Sequence, residues 1–164
     1  MQTFLPYPDF EATARVLDDR RLGKQRVEAL QILRALIRPV YGWKHHPAVL
    51  MWRGHEEALG AYSAAICREW CRRGRADTCE VKIMTELAES GVAVPPRPQA
   101  ELAASGALPS WLGDDAVHRS HRSALLRKDP EWYGPHFGHE PDDLPYEWPV
   151  RHRPAKAPKA TERN

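Results

Sequence analysis

The sequence contains no long apolar run and little net charge. No stretch approaches the ~18 consecutive apolar residues that a membrane-spanning helix needs, and no apolar segment follows a basic start as in a secretory signal. We therefore expect a soluble protein that stays inside the cell. The formal net charge is only +2 over 164 residues, so the total charge does not identify a nucleic-acid-binding protein. Any such surface must come from local clustering of basic residues.

Cysteine is also scarce, and its pattern argues against a disulfide-stabilised fold. The chain has three cysteines, Cys67, Cys71 and Cys79. An odd count without a paired framework is typical of proteins kept in a reducing compartment. No CxxC pair is present either, and such a pair is a common sign of a zinc site. We therefore expect free thiols in a cytoplasmic protein.

Histidine provides the other metal-ligand spacing, as two HxxH pairs. These are His118 with His121 and His136 with His139. No acidic residue stands at ligand spacing beside them, and a zinc site needs four converging ligands. We therefore expect no metal. The interpretation that we prefer places His118 and His121 against phosphate groups.

Strand-like alternation of useful length is absent, so the sequence predicts an all-α protein. Apolar residues recur at helical spacing over residues 11–38, and Gly23 is the point at which this helix would divide. Further helices are predicted over residues 47–74, 80–91 and 113–128, and the proline-rich segment that follows residue 91 is a loop by its composition. The prediction is a compact single-domain bundle of three to four helices with an extended N-terminal arm and an irregular C-terminal tail.

The C-terminal part of the chain differs in composition from the rest. Prolines are frequent after Trp132 and aliphatic residues are few, which predicts little regular structure there. From Arg151 onward the chain carries five cations against Glu162 alone, a composition typical of a disordered basic tail. We therefore assign residues 1–138 to a helical domain and residues 139–164 to a proline-rich, basic tail.

One acidic residue, Glu28, lies among four basic residues in the stretch RRLGKQRVEALQIL. The basic residues are Arg20, Arg21, Lys24 and Arg26. On a helix, Glu28 lies at the edge of the apolar stripe, on the same side as Arg21 and Lys24. An ordinary i,i+4 pair of Lys24 with Glu28 would contribute about 0.2–0.5 kcal/mol. The alternative is a catalytic carboxylate surrounded by cations that bind an anion, and periodicity alone leaves both open.

A second basic segment runs into aromatic residues at the end of the last predicted helix. Its cations are Arg119, Arg122, Arg127 and Lys128. DPEWYGPHFG follows, with Trp132 and Tyr133. Cations neutralise phosphates while aromatic faces stack on bases, so the combination is typical of a nucleic-acid-binding groove. The alternative is an aromatic cluster that anchors the core. A third basic cluster, within residues 68–75, is expected to interact with the negative end of the second predicted helix.

Together these segments resemble the pyrimidine-dimer DNA glycosylase family typified by bacteriophage endonuclease V. DRRLGKQRVE, with Leu22 and Glu28, is similar in spacing to the family's catalytic glutamate helix. HPAVLMWRGHEEAL is similar to a segment in which a proline precedes a glycine–histidine pair, here Gly54 and His55. REWCRRG and DPEWYGPHFG are similar to the basic end of the next helix and to the family's tryptophan–tyrosine motif. The resemblance spans most of residues 1–138.

The resemblance implies an all-α enzyme that cleaves the glycosyl bond at cyclobutane pyrimidine dimers and then nicks the abasic strand. Glu28 would be its catalytic carboxylate. The nucleophile would be an α-amine that attacks the sugar C1′ to form an imine, without a cofactor. In the family, removal of methionine exposes a small residue that carries this amine. Here Gln2 follows Met1, so the reactive amine belongs to Met1 or Gln2.

The resemblance further implies a face that binds double-stranded DNA with damaged or modified bases. His121 stands at or near the position of the family's phosphate-binding arginine. The residues expected to bind DNA are Arg20, Arg21, Lys24, Arg26, His55, Arg119, His121, Arg122, Arg127, Lys128, Trp132 and Tyr133. We expect a monomer that acts in the cytoplasm, associated with the nucleoid.

Two alternatives remain open at this point. One is a glycosylase for a different modified base, and the other is a helical protein that binds nucleic acid without catalysis. Borohydride trapping on DNA with a dimer or an abasic site separates an enzyme from a binding protein, because only an enzyme that forms an imine gives a covalent adduct.

Overall fold

The computed structural model describes residues 1–150, and the regular secondary structure in this range is helical throughout. The helices are α1 (Phe10–Val16), α2 (Asp19–Ile37), α3 (Pro47–Leu50), α4 (Glu56–Arg72), α5 (Cys79–Glu89), α6 (Gln99–Ala104), α7 (Asp115–Lys128) and α8 (Pro130–Phe137). The longest helices, α2, α4, α5 and α7, have 11 to 19 residues and correspond to the predicted ones. The prediction of an all-α fold is confirmed. Within residues 1–150, no helix combines the length and the apolar character that crossing a membrane requires.

The first predicted helix divides at Asp18, and not at Gly23. Asp18 has an extended backbone, and its carboxylate accepts hydrogen bonds from the N–H groups of Arg20 and Arg21. A side chain that satisfies the free N–H groups of a helix start favours a new helix at that point. Gly23 lies inside α2, where a Cβ atom would stand 3.0 Å from the Trp70 ring. This glycine therefore permits close packing and does not interrupt the helix.

The second predicted helix is also two helices. Pro47 begins α3, where the missing N–H of proline costs nothing, and the Nδ1 atom of His46 accepts the N–H of Ala48 at 3.0 Å. The chain then turns at Gly54, whose φ of +80° lies in the left-handed region. Glycine adopts this conformation without a steric penalty. The helix α4 therefore begins only at Glu56.

The short helices α6 and α8 were not expected from the sequence. Asp129 precedes α8, and its carboxylate accepts the N–H of Trp132 at 3.1 Å. Pro130 occupies the first helical position, where proline is favoured. This capped start stabilises a helix in a segment whose proline content suggests irregular structure. The expectation of little regular structure after Trp132 is therefore wrong as far as Phe137.

The helices α2 and α4 form the centre of the molecule, and α1 and α5 pack against them. The largest fully buried side chains include Trp52, Tyr62, Phe10 and Leu33. Burial of an apolar side chain of this size contributes about 1.5–3 kcal/mol to folding. The helices α7 and α8 pack against each other.

Both ends of the described chain meet at the core. In the N-terminal arm, residues 1–9, Phe4 and Leu5 are buried. Residues 139–150 contain no helix, but Glu140 is buried and the Tyr146 ring lies 6.5 Å from the Phe4 ring. The domain boundary at residue 138 stays a prediction. The predicted basic stretch from Arg151 onward lies outside the described residues.

Candidate active site

Side chains from three helices hold the N-terminal arm by its backbone. The Oε1 atom of Gln25 on α2 accepts the N–H of Phe4 at 2.8 Å, and the Tyr62 hydroxyl on α4 lies 2.9 Å from the Phe4 carbonyl oxygen. The Nδ1 atom of His121 on α7 accepts the N–H of Leu5 at 2.9 Å. Buried backbone groups need such partners. These bonds also fix the position of the residues that precede them.

The α-amine of Met1 lies beside the carboxylate of Glu28. The amine nitrogen is 3.8 Å from the Oε1 atom of Glu28, and the two side chains are 6% and 10% exposed. Gln2 is buried, and its side-chain oxygen accepts the N–H of Thr3 at 2.9 Å. A neutral amine is a nucleophile, and a carboxylate accepts protons or stabilises positive charge. The structure therefore brings together the amine and the carboxylate that the sequence singles out.

Gln25 connects Glu28 to the arm. Its Nε2 atom donates to the Oε2 atom of Glu28 at 2.9 Å, while its Oε1 atom accepts the N–H of Phe4. The Tyr62 hydroxyl lies 2.8 Å from the same Oε1 atom, and Gln25 is fully buried. A reactive group keeps its position when the side chains that bind it are themselves held by further contacts. Gln25 therefore positions the carboxylate relative to the arm.

Cations gather around Glu28. The Nζ atom of Lys24 lies 3.5 Å from the Oε1 atom of Glu28, and the Lys24 side chain is 69% exposed. At the end of α7, partial burial lowers the pKa of Lys128, and the nearby charges of Arg21, Lys24 and Arg127 lower it further. These like charges therefore lie close together, with Glu28 among them. A cluster of this kind attracts phosphate groups.

Arg21 belongs to this cluster although carboxylates hold it in place. Its Nη1 atom lies 3.4 Å from the Oδ2 atom of Asp18 and 3.7 Å from the Oδ2 atom of Asp129. The guanidinium therefore joins the start of α2 to the end of α7. Arg20, its neighbour in sequence, is exposed and remains a candidate for contact with DNA.

Arg26 lies on a different face of α2 from Glu28. It forms an ion pair with Asp77, and its guanidinium carbon lies 4.3 Å from the centre of the Trp70 ring. Residues two apart on a helix do not face each other. The expectation that Arg26 holds phosphate beside Glu28 is therefore wrong, and the side chain connects α2 to the segment before α5.

His118 and His121 are buried and hold the arm. Because the Nδ1 atom of His121 accepts the N–H of Leu5, its neutral ring carries the proton on Nε2. Burial, followed by the neighbouring His118, lowers the pKa of His121 to about 3. The Nδ1 atom of His118 lies 2.7 Å from the Leu5 carbonyl oxygen, and burial lowers the pKa of His118 as well. Buried neutral rings do not bind phosphate, so that expectation is wrong for both residues.

Glu140 holds the two arginines that flank His121. The Nε atoms of Arg119 and Arg122 lie 3.0 Å and 2.9 Å from its carboxylate oxygens. Arg122 is largely buried and also donates to the Pro6 carbonyl oxygen at 2.9 Å, so it joins α7, the arm and residues 139–150. We expect Arg122 to support the arm. Arg119 is 46% exposed and stays a candidate for contact with DNA.

The two aromatic candidates, Trp132 and Tyr133, lie in different environments. Tyr133 is fully buried, and its hydroxyl donates to the Oδ2 atom of Asp18 at 2.5 Å. The expectation that Tyr133 stacks on a base is therefore wrong, and this ring anchors the core. Trp132 is 45% exposed, and its Nε1–H donates to the Val16 carbonyl oxygen at 2.9 Å. Its indole face remains open to a base.

His55 contacts another part of the molecule. Its Nδ1 atom lies 3.2 Å from the carbonyl oxygen of Ala107, in the loop between α6 and α7. Within residues 1–150, no group of three or more His, Cys, Asp or Glu side chains is arranged to hold a metal ion. The three cysteines are free thiols, as the sequence predicts.

The charges of the reactive pair act on two further residues, His46 and Tyr146. His46 begins the HPAVLMWRGHEEAL segment, but the sequence predicted no role for either residue. Burial lowers the pKa of His46, the positive amine of Met1 lowers it further, and Glu28 opposes both effects. Burial raises the pKa of Tyr146, and the negative charge of Glu28 also raises it. The Tyr146 ring also lies 6.5 Å from the ring of Phe4, whose N–H is bound by Gln25. Gln25 was detectable in principle, as a polar residue one turn before Glu28 on the same helix face.

A groove of about 590 Å³ lies between α1 and α4, with Glu11, Arg68 and Arg72 in its lining. Neither Met1 nor Glu28 borders this groove. The reactive groups are therefore identified by their chemistry and not by the size of a surface groove.

Comparison with known proteins gives one family match. The family model described as pyrimidine dimer DNA glycosylase matches residues 1–83. This range contains the arm, Glu28 and the helices α1 to α4, and it ends before α7 and α8. No curated protein and no solved structure matches the chain significantly. Since the match covers 83 of 164 residues, the protein belongs to the pyrimidine dimer DNA glycosylase family.

Proposed function

We propose that the protein is a DNA glycosylase with an associated abasic-site lyase activity, which excises damaged pyrimidines and acts mainly on cyclobutane dimers. Membership in the family supports the glycosylase activity. The main support for the lyase activity is the distance of 3.8 Å between the α-amine of Met1 and the Oε1 atom of Glu28.

The first step joins the protein to the sugar. The lone pair of the Met1 amine forms a bond to C1′. The bond between C1′ and the base breaks, and the base leaves with the electron pair of that bond and takes up a proton that the attacking nitrogen loses. Glu28 stabilises the positive charge that develops on the sugar. The sugar ring then opens as its oxygen takes a proton from the bound nitrogen, which leaves an imine between C1′ and the protein.

The second step cuts the strand. The imine makes the C2′ protons acidic, and Glu28 removes one of them as a general base, a role that typically contributes about 10²–10⁴-fold to the rate. The electron pair that remains breaks the bond between C3′ and its oxygen, and the 3′ phosphate leaves. Gln25 keeps the carboxylate in place, because its amide binds both Glu28 and the arm.

The cations around Glu28 would bind the DNA backbone. Lys24 and Lys128 are exposed, and Asp18 and Asp129 hold Arg21 near them. Neutralising phosphates gives affinity without reading sequence. Selectivity for lesions follows from the low cost of moving a damaged or weakly paired nucleotide out of the helix.

Lys24 is the alternative nucleophile, since its Nζ atom lies 3.5 Å from the same oxygen of Glu28. Two observations favour Met1. The Lys24 side chain is 69% exposed, whereas that of Met1 is 6% exposed. In model peptides an α-amine has a pKa of about 7.7–8.0 and a lysine one of about 10.4, so α-amines are far more often neutral at pH 7. We therefore assign the nucleophile to Met1.

Borohydride trapping on a duplex with one abasic site tests the assignment. Reduction of the imine should give a covalent adduct, and peptide mapping should place it at the first residue and show whether that residue is Met1 or Gln2. Acetylation of the α-amine should abolish trapping, whereas Lys24→Arg should leave it intact. An adduct at Lys24 would overturn the assignment. Absence of an adduct on any abasic or dimer-containing DNA would favour a binding protein without catalysis.

We also propose that the protein acts as a monomer on nucleoid DNA in the cytoplasm, with residues 1–138 as the catalytic domain. The support for a monomer is that Met1, Glu28, Gln25 and the surrounding cations come from one chain. Glu140 would attach the C-terminal tail to this domain through its ion pairs with Arg119 and Arg122.

A further inference from the structure

Trp43 combines an exposed ring with an unusual backbone. It lies in the loop between α2 and α3 and is 65% exposed. Its φ is +68°, and no other non-glycine residue within residues 1–150 has a positive φ. For a bulky residue the left-handed conformation is a steric outlier. Such strain is concentrated at ligand-binding and active sites, so the position calls for a functional explanation.

A row of aromatic rings leads from Trp43 toward the core. The Trp43 ring lies 5.8 Å from the His46 ring, and the His46 ring lies 6.0 Å from the Trp148 ring. The Trp148 ring lies 5.5 Å from the Tyr146 ring. We call these four residues the aromatic row. Trp43 is its exposed end, and the other three members are partly buried.

The inner end of the aromatic row contacts the arm that holds the reactive pair. The Tyr146 ring lies 6.5 Å from the Phe4 ring, and Gln25 binds both the Phe4 N–H and Glu28. The charges of the Met1 amine and of Glu28 both act on His46, and the charge of Glu28 also acts on Tyr146. The exposed indole is therefore the outer end of a row of rings whose inner end, Tyr146, contacts the N-terminal arm at Phe4.

Hydrogen bonds hold the loop that carries Trp43. The Nζ atom of Lys44 donates to the carbonyl oxygens of Arg38 and Pro39, and the Trp43 carbonyl oxygen accepts the N–H of His46 at 2.8 Å. The loop is thus closed on itself. The loop therefore holds the indole at the surface, with most of the side chain exposed and the backbone strained.

We propose that the indole of Trp43 stacks on a nucleobase next to the reacting sugar, with His46 and Trp148 behind it. This inference rests on the proposed function, because a nucleotide that leaves the helix for reaction separates its neighbours and exposes their faces. An aromatic side chain can occupy such a gap, and stacking is tolerant of sequence because every base has a π face.

Binding to a duplex that contains a stable tetrahydrofuran abasic analogue tests the proposal. Trp43→Gly removes the ring and suits the left-handed backbone, and Trp43→Phe retains an aromatic face. Val81→Ala is the matched control, since Val81 is 66% exposed on α5. We expect Trp43→Gly to weaken binding about tenfold, Trp43→Phe to retain most of the affinity, and Val81→Ala to bind like the wild type. The melting temperature of Trp43→Gly should be unchanged or higher, because glycine relieves the strain.

Wild-type affinity of Trp43→Gly for the analogue would overturn the proposal. A clear fall in its melting temperature would also overturn it, since the ring would then serve the fold, and so would a change in oligomeric state with unchanged DNA binding. Trapping on a true abasic site at saturating DNA separates this proposal from the proposed function. Trp43→Gly should still form the adduct there, whereas failure of the wild type to form one contradicts the lyase activity whatever the result at Trp43.

Discussion

Two clusters of cations on the molecule are similar in composition and differ in how they are neutralised. The first cluster, at the end of α4, comprises Arg68, Arg72, Arg73 and Arg75. The second cluster, around Glu28, comprises Arg21, Lys24, Arg127 and Lys128. In the sequence the first cluster is one basic segment, whereas the second combines cations from the start of α2 and the end of α7. The two clusters also differ in their partners in the fold.

Carboxylates neutralise the first cluster. Glu69 is buried and binds the Nε atoms of Arg72 at 2.7 Å and of Arg73 at 2.8 Å, and Asp19 pairs with Arg73 and Arg75. Arg73 also donates to carbonyl oxygens in the last turn of α1. The expectation that this cluster interacts with the negative end of its own helix is therefore wrong for Arg73, which serves the end of α1.

The second cluster has a catalytic candidate at its centre. Lys24 pairs with Glu28 and remains exposed. Lys128 is exposed, and partial burial, followed by the neighbouring charges of the same sign, lowers its pKa. Cations that repel one another in the free protein are stabilised when phosphate binds. Arg21 is the exception in this cluster, since Asp18 and Asp129 hold it. The comparison teaches that a cation stabilises the fold where carboxylates surround it, and that exposed cations such as Lys24 and Lys128 are available for DNA.

The largest expected effect separates Glu28 from Glu69, the buried carboxylates of the two clusters. Glu28→Gln keeps the shape of the side chain and removes its charge, so strand cleavage at an abasic site should fall by about 10³-fold. DNA affinity should be unchanged or higher, because the variant removes a negative charge from the DNA-binding cluster. Glu69→Gln, the same change in the first cluster, should cleave at the wild-type rate. Gel assays of nicking and of binding measure both quantities, and normal nicking by Glu28→Gln would exclude Glu28 from the mechanism.

The next effect concerns stability and has a defined pH dependence. Hydrogen bonds from Arg72 lower the pKa of Glu69 below its usual 4.5 against the cost of burial, with Arg73 contributing in the same direction. A lowered pKa in the folded state adds stability above pH 4.5, and this stability is lost as the pH falls through the folded value. Glu69→Gln should therefore lower the free energy of unfolding by about 1–2 kcal/mol at pH 7.

Urea unfolding at several pH values measures this difference. The wild type and Glu69→Gln should converge in stability under acidic conditions, once Glu69 is protonated in the folded state. A difference that stays constant from neutral to strongly acidic pH would show that the amide disturbs packing and that charge is not the cause.

The fold was largely predictable because its signals are local. Helical spacing of apolar residues identified α2, and the acidic start and basic end of residues 113–128 identified α7. Gly74 and Gly91 marked the ends of α4 and α5, and both have a positive φ in the structure. The misplaced break at Gly23 shows the limit of this approach. A glycine that breaks a helix and a glycine that admits a neighbouring indole look alike in sequence, and only the position of Trp70 decides between them.

The site was predictable only where reactive groups share one helix or one motif. Glu28 and Lys24 lie four residues apart on α2, so periodicity places them together. Met1 reaches Glu28 only because Gln25, Tyr62 and His121 hold the arm, and such long-range contacts leave no pattern in sequence.

The smallest expected effect tests whether the second cluster is available for DNA. Lys128→Ala removes one exposed cation near Glu28, and we expect affinity for undamaged and abasic duplex to fall together by a few-fold. The slope of the logarithm of the binding constant against the logarithm of salt concentration should fall by about one unit. Arg72→Ala is the control, because Arg72 is also exposed but is bound to Glu69 at the other cluster. This variant should leave the salt slope unchanged.

If Arg72→Ala lowers the slope as much as Lys128→Ala does, neutralisation by carboxylates does not determine which cluster binds DNA. If Lys128→Ala weakens only binding to the abasic duplex, Lys128 recognises the lesion and not the backbone.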